Sequence, residues 1–270
     1  MTDGPAMQAY YGRDLERDRL ATGVGRVELI RTIEVVGRTL PEPPATVADI
    51  GGGPGRYTDW LVAAGYSVIH RDVVAHHVEQ VLDRHGRGVD AVVDAAVADA
   101  MALDLDDGSV DAVLLLGPLY HLATRADRLT ALGEAVRVAR PGGVVYAAAI
   151  SRWAVRLHGI VVSGLHREFP AVIDTIDELE RTGRIEPVTD GGFTGYAHTP
   201  DQFREELEAA GLVIESLVAL EGLSFAFDDV DERLDDPDER AVLLEALRTL
   251  ESVPDLMGLG IHLLATARPT

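Results

Sequence analysis

Residues 47–61 read VADIGGGPGRYTDWL. Apolar residues flank Asp49, glycine fills four of the positions 51–55, and an amphipathic run starts at Arg56. Strand, glycine turn and helix in that order open a Rossmann-like unit, whose turn brings a ligand against bare backbone. The dinucleotide form of the turn is G-x-G-x-x-G. Here Gly51 and Gly53 fill the first two places, Arg56 stands in the third, and Gly55 comes one residue early. Asp49 sharpens the choice of ligand. A carboxylate ahead of the turn opposes a pyrophosphate and suits a ligand carrying positive charge. Its alternative is to bind the turn's own N–H groups.

Working outward, strand and helix alternate. Strands are expected at 46–50, 66–72, 91–99, 109–117 and 144–150, with helices over 26–40, 56–65, 75–86 and after Thr124, which makes a capping pair with Asp127. In the first helix Leu29, Ile33, Val36 and Leu40 make the apolar stripe. Near-continuous apolar strands suit a parallel sheet covered on both faces. The alternation breaks at 151, where two helices and then a loop or short hairpin (185–199) are expected. Thr199, Pro200 and Gln202 spell a capping box, followed by strands at 213–220 and 257–269 around a helix over 235–250. The acid-rich 227–239 reads as a solvated loop leading into that helix. The chain thus divides into an N-terminal helical cap (1–44), a core (45–150), a helical insert (151–199) and a return to the core (200–270).

Two further acids end the next strands. Asp72 is placed to accept both hydroxyls of a ribose. Asp99, with Ala100 and Met101 after it, is placed to meet an adenine. With these residues in view, the stretch from 47 to about 150 resembles the class I methyltransferases that use S-adenosylmethionine (SAM). It is most similar to the small-molecule type with a GPLYHL segment, here Gly117–Leu122, after the fourth strand. The resemblance implies a Rossmann-like α/β fold with seven strands, the last antiparallel, and a helical lid. It implies that Asp49, Gly51, Gly52, Gly53 and Gly55 pass under the methionine part of SAM. It also implies that Asp72 and Val73 hold the ribose, that Asp99, Ala100 and Met101 flank the adenine, and that Leu116 and Gly117 line the face beside the methyl. "RPGG" (140–143) precedes the fifth strand, as in that family.

Methyl transfer from a sulfonium needs alignment and the exclusion of water. That requirement points to a lid built from the N-terminal segment and the 151–199 insert, with Tyr10, Tyr11, Trp153, Phe193 and Tyr196 as candidate walls around the acceptor. His121 is the candidate general base and Tyr120 the candidate orienting group, both just after the fourth strand. Glu16 and Arg19 are spaced to pair on one helix face.

The 270-residue chain has a formal net charge of −21, no cysteine, and arginine for all 24 of its Lys/Arg positions. Such a surface repels nucleic-acid backbones, and thiolate metal sites are excluded. No metal is expected; His76 and His77 lack a third ligand at metal spacing. No apolar stretch is long enough for a membrane span, so a cytoplasmic monomer or homodimer with a small-molecule acceptor is the expectation. A SAM-binding regulatory module on the same fold is the alternative. A nicotinamide oxidoreductase fits less well, because no lysine exists to build a Tyr-x-x-x-Lys pair.

Overall fold

The computed structural model describes residues 19–86, 93–187 and 194–270. Tyr10, Tyr11, Glu16 and Phe193 lie outside the described residues. Helix α1 (Gly23–Gly37) precedes β1 (Thr46–Ile50), α2 (Arg56–Ala63), β2 (Ser67–Asp72), α3 (Ala75–His85), β3 (Val93–Val97) and β4 (Val110–Leu115). Then come α4 (Arg125–Val138) and β5 (Ala139–Ser151). The central sheet runs β3-β2-β1-β4-β5, all parallel. Beyond β5 the strand β9 (His262–Pro269) pairs antiparallel, and β8 (Leu212–Ala219) pairs antiparallel to β9. The expected mainly parallel seven-stranded sheet, with β9 reversed, is present and is extended to nine strands by a short hairpin that joins the carboxyl end of β5 in parallel.

Side chains alternate across each strand, so two cores form. Ala48, Ile50, Val113, Leu115 and Val145 point to one face, where Leu132 of α4 and Phe203 of α6 (Pro200–Ala209) cover them. Val47, Ala112, Leu114, Val144 and Tyr146 point to the other, under Val35 and Val36 of α1, Leu61 of α2 and Val81 of α3. Strands buried on both faces explain why their sequences read as apolar runs rather than as alternations.

The caps expected from sequence form. Thr124 Oγ1 accepts the Asp127 N–H at 3.2 Å, and Thr199 and Gln202 close a reciprocal box. Two segments differ from the sequence reading, and a third settles an alternative it left open. Among the described residues, the region after β5 contains a short helical turn (Ala154–Arg156), a π-helical turn (Leu157–Val162) and only one full helix, α5 (Val172–Thr182). Gly164 in a left-handed conformation interrupts what reads as a longer helical run. The short hairpin left open by the sequence exists, as β6 (Arg184–Ile185) against β7 (Gly195–His198). Finally, the acid-rich loop contains a helix, α7 (Val230–Asp235), before α8 (Pro237–Leu250). Val230 and Leu234, one turn apart, bury beneath α1 against Val27 and outweigh the acids around them.

A buried polar clamp fixes the insert to the core. The Arg128 guanidinium donates to both Glu206 carboxylate oxygens at 2.8 and 2.7 Å and to the carbonyls of Leu122 (2.9 Å) and Ala123 (3.2 Å). The Tyr196 ring of β7 lies over it at 3.7 Å. Arg128→Met should cost about 3–5 kcal/mol in urea denaturation, because Glu206 is left buried with His198 and a 3.9 Å contact to the exposed Arg125, and the double change Arg128→Met with Glu206→Leu should regain much of it. Arg128 and His198 outweigh burial and hold the Glu206 carboxyl down to about 2. A depressed carboxyl stabilises the fold above its ordinary value and loses that contribution as pH falls through the folded value. Denaturation of the native chain should therefore show an acid-linked loss between about pH 4.5 and pH 2 that is smaller in Glu206→Gln.

Candidate functional site

The carboxyl ends of β1, β2, β3 and β4 open into a cleft of about 1070 Å³, counted to its mouth. This is where ligands bind in open α/β sheets. Its floor is the glycine turn. Gly51 and Gly53 take positive φ (66° and 56°), which side chains disfavour. At Gly52 space decides: a Cβ there would lie 2.6 Å from the Asp49 carboxylate and 2.7 Å from the His70 ring. Asp49, 1% exposed, accepts the Thr58 hydroxyl at 2.7 Å, so it is anchored by a side chain of α2 rather than by the turn's N–H groups.

Asp72 is the most constrained acid. Its Oδ2 accepts the Gly53 N–H and its Oδ1 the Val74 N–H, both at 2.8 Å, with His77 Nδ1 at 3.3 Å. Burial opposes ionisation here, yet His77 and the two N–H groups win and lower the carboxyl below its ordinary value. Asp72 therefore presents a fixed anion. Asp99 accepts the Met101 N–H at 2.9 Å, which shapes the turn beyond β3.

Of the residues singled out from sequence, Asp49, Gly51, Gly52, Gly53, Asp72, Val73, Asp99, Ala100, Leu116, Gly117, Tyr120 and His121 line this one cleft. Gly55 and Met101 lie behind it, Gly55 as the left-handed N-cap of α2. Tyr196 belongs to the Arg128 clamp, and Trp153 is 42% exposed against Gly258. No described residue of 151–199 lines the cleft. Arg19, Leu20 and Glu28 form its wall instead. Arg19 pairs with Glu28.

His121 stands at the mouth of β4. Burial, aided by Arg19 and opposed by Asp72, pushes its imidazole down to about 4. It is neutral at pH 7 and is a weaker base than the sequence reading supposed.

Sequence reasoning missed a second polar group on the cleft wall. Glu28 of α1 faces His262, with Oε2 3.6 Å from Nδ1. Glu221 holds His262 from behind, through Nδ1 at 2.5 Å and the backbone N–H at 2.9 Å. The signal was a polar residue on a buried helical face: α1 buries Val27, Glu28, Arg31, Thr32, Val35 and Val36, while the expected stripe members Leu29, Ile33 and Leu40 are only half-buried. Arg31 turns inward because Glu251 receives it.

Residues 48–147 match the family described as a methyltransferase domain. The ubiquinone/menaquinone biosynthesis C-methyltransferase of Acidiphilium cryptum is 34% identical over 149 residues, 53% of this chain and 55% of that protein. A tRNA (carboxymethyluridine(34)-5-O)-methyltransferase of Macaca fascicularis is 35% identical over 97 residues, 36% of this chain and 13% of that protein. The chain therefore spans about half the length, or less, of these two relatives. Among solved structures, the Burkholderia thailandensis 1,6-didemethyltoxoflavin-N1-methyltransferase superposes with a TM-score of 0.58 at 17% identity, covering 98% of this chain and 88% of that one.

The pH behaviour of His121 follows from its burial. Folding holds its pKa below the ordinary imidazole value of 6.5, so its neutral form's contribution is intact above 6.5 and is lost as pH falls toward about 4. A histidine-resolved NMR titration should show His121 protonating near pH 4, and an ordinary midpoint would contradict the buried geometry.

Proposed function

We propose that this chain, which carries a class I methyltransferase domain over residues 48–147, binds SAM across the tops of β1 to β3. It then transfers the methyl group to a small-molecule acceptor. The observation that carries the reading is Asp72, held ionised at the end of β2 beside a turn whose second glycine has no room for a side chain. The donor set suits SAM. Asp72 offers an anion to ribose hydroxyls, and Asp99 with Ala100 offers a polar edge to the adenine. Asp49 and the backbone of Gly51–Gly53 offer a negative, uncrowded floor to the ammonium and sulfonium. A diphosphate on the glycine turn would oppose the Asp49 carboxylate, which favours SAM over a nicotinamide dinucleotide.

When bound, SAM supplies a methyl group on an already activated sulfonium. What remains for the protein is alignment and dryness. Leu116 and Gly117 leave the space above β4 open for the methyl. Tyr120 orients the acceptor, and neutral His121 walls it and accepts a hydrogen bond. Three relatives' names carry tRNA, but a net charge of −21 disfavours a polyanionic partner for this chain.

Isothermal titration calorimetry with SAM and S-adenosylhomocysteine (SAH) tests the reading. Micromolar binding is expected. Asp72→Ala should weaken it by about ten-fold or more, since a hydrogen bond to a charged group is worth about 1.5–3 kcal/mol. Gly52→Ala should weaken it too, by pushing Asp49 or His70 out of place. Absence of binding to the native protein would sink the proposal. Binding without turnover of any acceptor would favour the regulatory alternative.

A further inference from the structure

The cleft has a second group of polar side chains besides the acids that end β2 and β3. Glu28 of α1, Tyr57 of α2, and Tyr120 and His121 after β4 also line it. Behind Glu28 lies His262, whose ring centroid is 6.2 Å from that of Tyr120. His262 pairs with Ile150 at the carboxyl end of β5, so the Glu28–His262–Glu221 chain belongs to the acceptor side of the sheet.

We infer that the acceptor is a nitrogen nucleophile whose N–H donates to the Glu28 carboxylate, from the side where Arg19 now donates. This rests on the methyltransferase reading above. Glu28 is 7% exposed and Glu221 is fully buried, so both carboxylates are fixed in place. Between them stands His262, its Nδ1 3.6 Å from Glu28 Oε2 and 2.5 Å from Glu221 Oε1; burial lowers its imidazole and the two carboxylates raise it by more. Arg19 meets Glu28 from the rim: its Nη2 donates to Glu28 Oε1 at 3.0 Å and its side chain is 35% exposed. The fixed part of the wall is therefore an anion. Its countercharge comes from the solvent side and is itself an N–H donor.

That arrangement sorts acceptors by the charge they carry at transfer. A phenol or thiol becomes strongly nucleophilic by losing its proton, and the resulting anion would face a carboxylate. A neutral amine, having shed its extra proton to solvent, carries no charge. Its lone pair forms the N–C bond to the methyl carbon, the C–S pair returns to sulfur, and the positive charge passes from sulfur to nitrogen. That charge arises beside Glu28, where it is stabilised most in the transition state. No base is required during the transfer, which agrees with the low basicity of His121.

The test uses SAH-loaded protein titrated with a matched set: benzylamine, benzyl alcohol, benzyl mercaptan and benzoate. Benzylamine should bind about ten-fold tighter than the others, and Glu28→Gln should remove that preference. SAH affinity should stay within about two-fold in the variant, which also shows that it folds. Should Glu28→Gln fail to fold, Glu28→Asp, which keeps the charge and withdraws it, should weaken benzylamine alone. With SAM, the native protein should yield N-methylbenzylamine and no ether or thioether. Tightest binding of benzoate, equal binding of all four, or an unaffected Glu28→Gln would overturn the inference. So would a divalent metal at molar parity in the purified protein that is lost in His262→Asn. A native protein that binds neither SAM nor SAH would instead overturn the underlying reading, and the two failures are distinct.

Discussion

The closeness of Gly52 to Asp49 governs the site. A strand end, a buried carboxylate and a loop backbone are packed so tightly that a single added carbon would collide with the acid or with His70. The loop's N–H groups are tied to the neighbouring strand, Gly51 donating to the Arg71 carbonyl and Gly53 to the Asp72 carboxylate. The first two strands are thereby coupled: moving the loop would strip Asp72 of a partner that keeps it ionised. Thr58 completes the arrangement by tying Asp49 to the first turn of α2.

Much of this was legible in sequence because strand ends and glycine turns are local features. Asp49, Asp72 and Asp99 each close an apolar run, and parallel pairing in register places the ends of such runs side by side. Topology then gathers them without any long-range information. The walls were less legible. Glu28, Glu221 and His262 come from a helix, a turn after β8 and the start of β9, and only the tertiary fold brings them together. Apolar periodicity also misjudged α1, because it assumes that charges point outward. Val27, Glu28, Arg31, Thr32 and Val35 share the buried face, and the ion pairs to His262, Arg19 and Glu251 are what allow it.

In the insert Trp153, Phe193 and Tyr196 suggested a lid, since aromatic walls suit a small-molecule pocket; of these Phe193 lies outside the described residues. Instead Tyr196 stacks on Arg128, and that guanidinium reaches the carbonyls of Leu122 and Ala123. The ring serves the turn that carries Tyr120 and His121 from below rather than covering the cleft from above. Sequence alone does not separate these roles, because an aromatic ring satisfies a cation and an apolar ligand equally well.

The reversal of β9 has a consequence in time as well as in space. A strand running against its neighbours begins where they end, so His262 reaches the cleft rim at the first residue of the strand. On a ribosome, Glu28 emerges early and waits through the synthesis of nearly every other strand before its imidazole neighbour exists. The carboxylates that end β1 and β2 are translated long before then. A nascent chain would thus hold one wall of the cleft complete well before the imidazole behind the other wall exists.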